Sequence, residues 1–201
     1  MGRVACRIGV RVSGALRQFT ARQRASAPFT DDFNRATLGD DWSTVRGSWG
    51  ISSNEIQRTS ATSATDLAIV RCTVARGSTD QYTEVDFATA SGDLPWMSPM
   101  LRMSADGLTG YYTICRAQNS LTAIGKIVDG TTTTLASGSN GGGPPRRLRF
   151  QAIGTDLRLY SDDVLLLSAT SDATIDDGLF TGLTGHTNNV STGDNYEAGD
   201  L

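Results

Sequence analysis

With 201 residues, a formal net charge of −3 and 38% hydrophobic residues, the chain has room for one β-rich domain and a short appendage. Thr, Ser and Gly abound and Lys126 is the one lysine, so little is left from which to build a long amphipathic helix. No apolar run approaches the roughly 20 residues of a membrane span, and three scattered cysteines (Cys6, Cys72, Cys115) with one histidine, His186, exclude a dense disulfide scaffold and a zinc site of the usual spacing.

Charge is unevenly placed. Residues 1–30 hold six arginines and no acid, which leaves −9 for residues 31–201. Arg7, Arg11 and Arg17 interrupt every apolar run before a signal-peptide core can form. In residues 3–12, Val4, Cys6, Ile8, Val10 and Val12 alternate with Ala5, Arg7, Gly9 and Arg11, a period of two that predicts a strand and not a transit-peptide helix. Residues 1–28 thus read as a basic arm, either a solvated tail or an anchoring strand, ending in the linker Ser26-Ala27-Pro28. A lone strand cannot bury its apolar face by itself. Addition to a neighbouring sheet is therefore the expected use, with Arg3, Val4, Arg7, Ile8, Val10, Arg11, Val12 and Arg17 as the assembly residues. Nucleic acid is a weaker expectation, since Phe19 is the arm's one stacking residue before the linker.

From Phe29 onward short β signals succeed one another. Val85 and Phe87 alternate with Glu84 and Asp86, Leu101 and Met103 flank Arg102, and Leu148, Phe150 and Ala152 alternate with Arg149 and Gln151; each such strand is expected to bury one face only. The stretch from Arg146 to Ala169 predicts three antiparallel strands, with turns at Gly154-Thr155 and near Asp162-Asp163. Asp106-Gly107, Asp129-Gly130 and Asp177-Gly178 mark further turns, and residues 137–145 a long connection. Cys72 and Cys115 fall in strands, as small core residues. About a dozen strands without a repeat predict an antiparallel two-sheet jelly roll over residues 29–201.

The segments DDFNR (31–35), LGDDW (38–42) and GSWGIS (47–52), the later run LRFQAIGTDLRLYSDDVLLLSAT and the closing GDNYEAGDL together resemble the concanavalin A-like, laminin G-like modules of bacterial surface proteins and of bacteriophage tail and virion proteins. The resemblance covers nearly all of residues 29–201 and departs at Asp162-Asp163, where the family usually has Asp-Gly. It implies core-facing Trp42 and Trp49, and a last strand lying beside the first. It also implies a structural calcium near that seam, for which Asp31, Asp32, Asp194 and Asn195 offer hard oxygen ligands; otherwise no cofactor is expected.

Laminarinase-type glycoside hydrolases of this fold carry E-x-D-x-x-E on one strand, its outer acids serving as nucleophile and general acid. Glu84-Val85-Asp86-Phe87-Ala88-Thr89 matches except at its end. With Thr89 in place of the acid, no catalytic residue is assigned and the chain is expected not to be an enzyme. His186 has no G-x-S-x-G partner, and Gly-rich 138–143 leads into Pro144-Pro145, so neither a triad nor a phosphate cradle is indicated. Sugar binding needs an aromatic platform. Trp96, Tyr111 and Tyr112 are the candidates, unless they cover the core's end. The leading expectation is a structural protein on a bacteriophage virion surface, in tail or capsid. It would be present in symmetry-repeated copies, held to other virion proteins by its arm and displaying a lectin-like domain to host glycans, without a membrane. The alternative is a carbohydrate-binding module of a bacterial surface or secreted protein; a degenerate glycoside hydrolase is the third reading.

Overall fold

In a computed structural model the described residues are 27–60, 67–90, 96–116, 121–139, 147–172, 175, 177–185 and 191–201. They form an all-β sandwich of two antiparallel sheets. The eight-stranded sheet runs β13 (Val164–Thr170), β12 (Asp156–Ser161), β11 (Arg147–Ile153), β6 (Gln81–Ala90), β15 (Ser191–Asp200), β4 (Glu55–Ser60), β3 (Ser48–Ser52), and β1 (Phe29–Asp31) also pairs with β15. The seven-stranded sheet runs β10 (Thr131–Ser139), β9 (Leu121–Val128), β8 (Gly110–Cys115), β7 (Met97–Met103), β14 (Phe180–Gly185), β5 (Ala68–Cys72), β2 (Trp42–Arg46).

Alternation decides which side chains meet between the sheets. Val85 and Phe87 of β6, Leu148, Phe150 and Ala152 of β11, and Leu157 and Leu159 of β12 pack against Leu101, Tyr111, Ile124, Val70 and Leu183 of the facing sheet. Trp42 and Trp49 are core residues, as the resemblance implied, and so are Cys72 and Cys115. The last strand lies beside the first, with Phe29 opposite Ala198 and Asp31 opposite Tyr196. Asp162 and Asp163 have φ of 48° and 65°. They make a two-residue turn with both centres left-handed, the hairpin geometry Asn or Asp tolerates best after Gly, so the departure from Asp-Gly leaves the turn tight.

Two expectations need correction. β7 is buried along its whole length, where one buried face was expected, because the outer face of its sheet is enclosed as well. Arg102 is buried for a separate reason, its side chain reaching the backbone beside β6 and the β11–β12 turn of the facing sheet. It is 2% exposed, with φ of 49°, and its guanidinium donates to the carbonyls of Thr79 and Gly154, both at 2.7 Å. The arm residues Arg3, Val4, Arg7, Ile8, Val10, Arg11, Val12 and Arg17, together with His186, lie outside the described residues.

Candidate functional site

The central strand β6 lies between β11 and β15, so its outward side chains meet those of both neighbours. Tyr82, Glu84 and Asp86 point out. Across one edge they stand opposite Gln151, Arg149 and Arg147; across the other, Gly199 stands opposite Tyr82, Glu197 opposite Glu84 and Asp194 opposite Asp86. Acids on one strand thus face arginines on the next, a favourable cross-strand pairing. Arg147 ion-pairs with Glu84 and lies 3.9 Å from Asp86, while Arg149 reaches the other Glu84 oxygen at 4.0 Å.

Tyr82 lies across Gly199, where a Cβ would come within 2.6 Å of its ring. Its hydroxyl donates to Glu197, and the Arg149 guanidinium sits 4.8 Å from its ring centroid. Burial, and then the bond to Glu197, push the Tyr82 phenol up to about 12. A bulge in β15 between Asp194 and Glu197 aims Asn195, at φ 48°, over the site; its amide donates to Asp86 at 3.0 Å. Such bulges re-aim a side chain out of the regular pleat.

Two depressions open on this face. One of about 480 Å³ is lined by Thr30, Asp31, Asp32, Arg147, Asn195, Tyr196 and Glu197. A second of about 210 Å³ is lined by Arg149, Gln151, Tyr160 and Asp163, with the Gln151 amide donating to the Tyr160 hydroxyl at 3.2 Å. Guanidinium forks, carboxylates, amides and a half-buried tyrosine ring are the groups that bind vicinal hydroxyls and the apolar face of a sugar.

The expected calcium ligands do lie along one seam, but the carboxylate oxygens of Asp31, Asp32 and Asp194 accept hydrogen bonds from protein donors. Asp31 accepts from both terminal nitrogens of Arg35 at 2.6 Å, from Trp42 Nε1 at 2.7 Å and from the Phe33 amide at 2.8 Å. Burial opposes its charge, yet the bonds from Arg35, Trp42 and Phe33 outweigh this and hold its carboxyl below the ordinary value of 3.8. Arg35 thus supplies the positive charge expected of an ion. Asp32 turns away to the amide and side chain of Asn34, and Asn195 binds Asp86 and Asp194. Among the described residues no group of three or more metal-ligating side chains converges.

The expected aromatic platforms are enclosed. Trp96 is 1%, Tyr111 0% and Tyr112 4% exposed, so none offers a ring face to a ligand. The adjacent tyrosines do point to opposite sides. Tyr111 points into the core, where its hydroxyl donates to the Asp172 carbonyl and accepts from the Asp172 amide; Tyr112 lies on the outer face of the other sheet, covered. Arg147, Arg149, Tyr82, Tyr160 and Glu197 were missed as site residues. The pairings of β11 and of β15 with β6, distant in sequence, bring their faces together.

No family model matches the chain, and no curated protein matches it. Solved structures do. The carbohydrate-binding module CBM66 from Bacillus subtilis superposes with a TM-score of 0.64 at 22% identity, over 81% of this chain and 95% of that one. A Bacillus licheniformis β-glucanase gives 0.57 at 13%, over 88% and 99%, and a Bacillus subtilis protein of unknown function with a galectin-like fold 0.60 at 9%, over 85% and 94%. The jelly-roll fold is shared with carbohydrate-binding modules and with glucanases. A virion role finds no support among these neighbours.

Proposed function

We propose that the protein is a carbohydrate-binding module that holds a glycan on the outer face of its eight-stranded sheet, over β6, β11 and β15. The observation that carries this reading is the groove itself. Arg147, Asn195 and Glu197 line its larger depression and Tyr160 its smaller one; an ion pair with Glu84 fixes Arg147, and hydrogen bonds with Asp86, Tyr82 and Gln151 hold Asn195, Glu197 and Tyr160 before any ligand arrives, which lowers the cost of ordering them. The likeness to a carbohydrate-binding module supports it further.

The module is read as non-catalytic. Both Glu84 oxygens face arginines, and Thr89 stands where hydrolases of this fold carry the second acid, so the pair of carboxyl groups that glycoside hydrolysis requires is incomplete.

A glycan array on the full chain, followed by titration calorimetry on the best hit, tests the proposal. Arg147→Ala and Tyr160→Ala are each expected to weaken binding about tenfold, the loss of one good polar or stacking contact. Trp96→Phe, deep in the core, is expected to leave affinity unchanged. An array without hits, or affinity indifferent to Arg147 and Tyr160, sinks the assignment. Sugar release that Glu84→Gln abolishes would replace it with hydrolysis.

A further inference from the structure

The register of the eight-stranded sheet lines up one row of outward side chains across its strands. Thr30 of β1 stands opposite Glu197 of β15, Glu197 opposite Glu84 of β6, and Glu84 opposite Arg149 of β11. The row continues with Arg149 opposite Tyr160 of β12 and Tyr160 opposite Leu165 of β13. Its interstrand steps add up to about 24 Å. A bulge in β13 decides the far end: Leu166 and Leu167 pack on the inter-sheet core, whereas Leu165 stands opposite Tyr160 and is 51% exposed.

The two ends of the row differ in chemistry. At the β15 end the larger depression is walled by Thr30, Asp32, Arg147, Asn195 and Glu197. The ring among its described walls, Tyr196, is 1% exposed, so hydroxyl, carboxylate, amide and guanidinium groups are what a ligand meets there. At the β12 end Arg149 and Tyr160 line the smaller depression, and Leu165 adds exposed apolar surface in the same row. Glu84 stands between the two. One of its oxygens pairs with Arg147 of the first depression and the other faces Arg149 of the second, so a single carboxylate sets both arginines. From Glu197 to Tyr160 is three interstrand steps, about 14 Å, farther than a single sugar ring reaches.

A flat crystalline polysaccharide needs several coplanar, exposed rings on which to stack. Among the described residues this face has no such set. Tyr82 lies outside the row, opposite Gln151 and Gly199, and its ring already carries the Arg149 guanidinium, which leaves Tyr160 as the row's one ring. We propose that the ligand is a single soluble glycan chain lying across the strands, with one unit held by its hydroxyls over β15 and a later unit stacked on Tyr160 and Leu165. On the glycan-binding reading, which this requires, the recognised form is an extended stretch of several units, neither a lone terminal sugar nor a crystal face.

Titration calorimetry on the full chain tests this, with laminarin, cellulose, xylan, mannan and chitin oligosaccharides graded from monosaccharide to hexasaccharide, and with fragments of any other glycan the array retains. Pull-down on microcrystalline cellulose and on chitin runs beside it. Affinity for the preferred series is expected to rise about tenfold or more from the disaccharide to the longer oligomers, as the second contact region is reached, and then to level off. Tyr160→Ala and Leu165→Asp should each remove that gain and leave disaccharide affinity within about twofold of the unaltered chain, with near-ultraviolet circular dichroism showing that both variants fold. Equal affinity at every length overturns the proposal while leaving glycan binding in place. So does a gain with length that survives both substitutions, or retention on microcrystalline cellulose or chitin that exceeds binding of the soluble hexasaccharide. Binding to none of these probes removes the glycan-binding reading, and the extended ligand with it.

Discussion

Replacing Asp31 with Ala removes the acceptor of four donors at once, and the structure sets the size of the effect. Arg35, with its side chain 32% exposed, can turn its guanidinium to water, so its share of the loss is about 1 kcal/mol. Trp42 Nε1 and the Phe33 amide cannot. Trp42 is 5% and Phe33 0% exposed, and a buried donor without an acceptor costs about 1–3 kcal/mol. The sum is about 3–7 kcal/mol, a range that contains the roughly 3–5 kcal/mol cost of breaking a buried ion pair from one side. Trp42 is also held edge-on to Tyr196 at 4.8 Å and tilted against Phe33 at 5.5 Å, so its fluorescence reports the loss directly. Asp31→Asn, which keeps an acceptor but not the charge, should cost about half as much. Urea unfolding followed by tryptophan fluorescence measures both, at unchanged m. The pH dependence has a definite sign. With its carboxyl lowered below 3.8 in the fold, Asp31 contributes stability that is complete above about pH 5 and is lost as pH falls through the folded value; Asp31→Asn should flatten the stability profile below pH 4. A cost under about 1 kcal/mol for Asp31→Ala would refute the hub, and a fall in the wild-type midpoint on adding EDTA would return the seam to calcium.

At Gly178 an added Cβ would stand 2.0 Å from the Arg102 carbonyl oxygen, backbone that cannot swing aside. Gly178→Ala is therefore expected to cost about 3 kcal/mol or more; Gly154→Ala, with φ of 55° and nothing within 4 Å, should cost only the left-handed strain of about 1 kcal/mol, both read by thermal unfolding. Burial raises the phenols of Tyr82, Tyr111, Tyr112 and Tyr196. Since the fold holds them neutral, their contribution is full below the unfolded value near 10 and is lost above it. Absorbance at 295 nm should show the ionisation of these four phenols arriving together with alkaline unfolding, and their smooth titration in a still-folded protein would contradict the burial.

Local pattern carried the fold a long way. Alternation located β6 and the β11–β12–β13 meander, and the turn residues placed the hairpins, because strand pairing between sequence neighbours depends on nearby side chains and turns alone. The site was legible only in part. Glu84 and Asp86 were visible as an outward pair, but Arg147 and Arg149 become their partners through the register of β11 on β6, which no local pattern encodes. Trp96, Tyr111 and Tyr112 went astray for a related reason. A strand's alternation shows that two faces exist but not that both are buried: Tyr111 points into the inter-sheet core and Tyr112 into a second apolar cluster on the other side of its sheet, and neither is left wet. At Asp31 a carboxylate near the strand seam fitted an ion equally well until Arg35, four residues on, took that place.

The contrast between the two outer faces bears on where a ligand can bind. Over the seven-stranded sheet the outward side chains of Ile69, Met100, Met103, Tyr112 and Ile127 are apolar and buried, with few groups to meet a sugar hydroxyl. Over the eight-stranded sheet they are charged, partly wet and already paired to one another. A sugar hydroxyl entering beside Arg147 therefore has only water to displace, since the Arg147–Glu84 pair retains its geometry and still has unused donors and lone pairs. Removing Arg147 does more than delete one contact: it leaves Glu84, with only 10% of its side chain exposed, facing Glu197 across the strand with Arg149 as the remaining counter-charge. Arg147→Ala should thus weaken glycan binding and destabilise the fold together, whereas Tyr160→Ala, at the margin of the same groove, should affect binding alone.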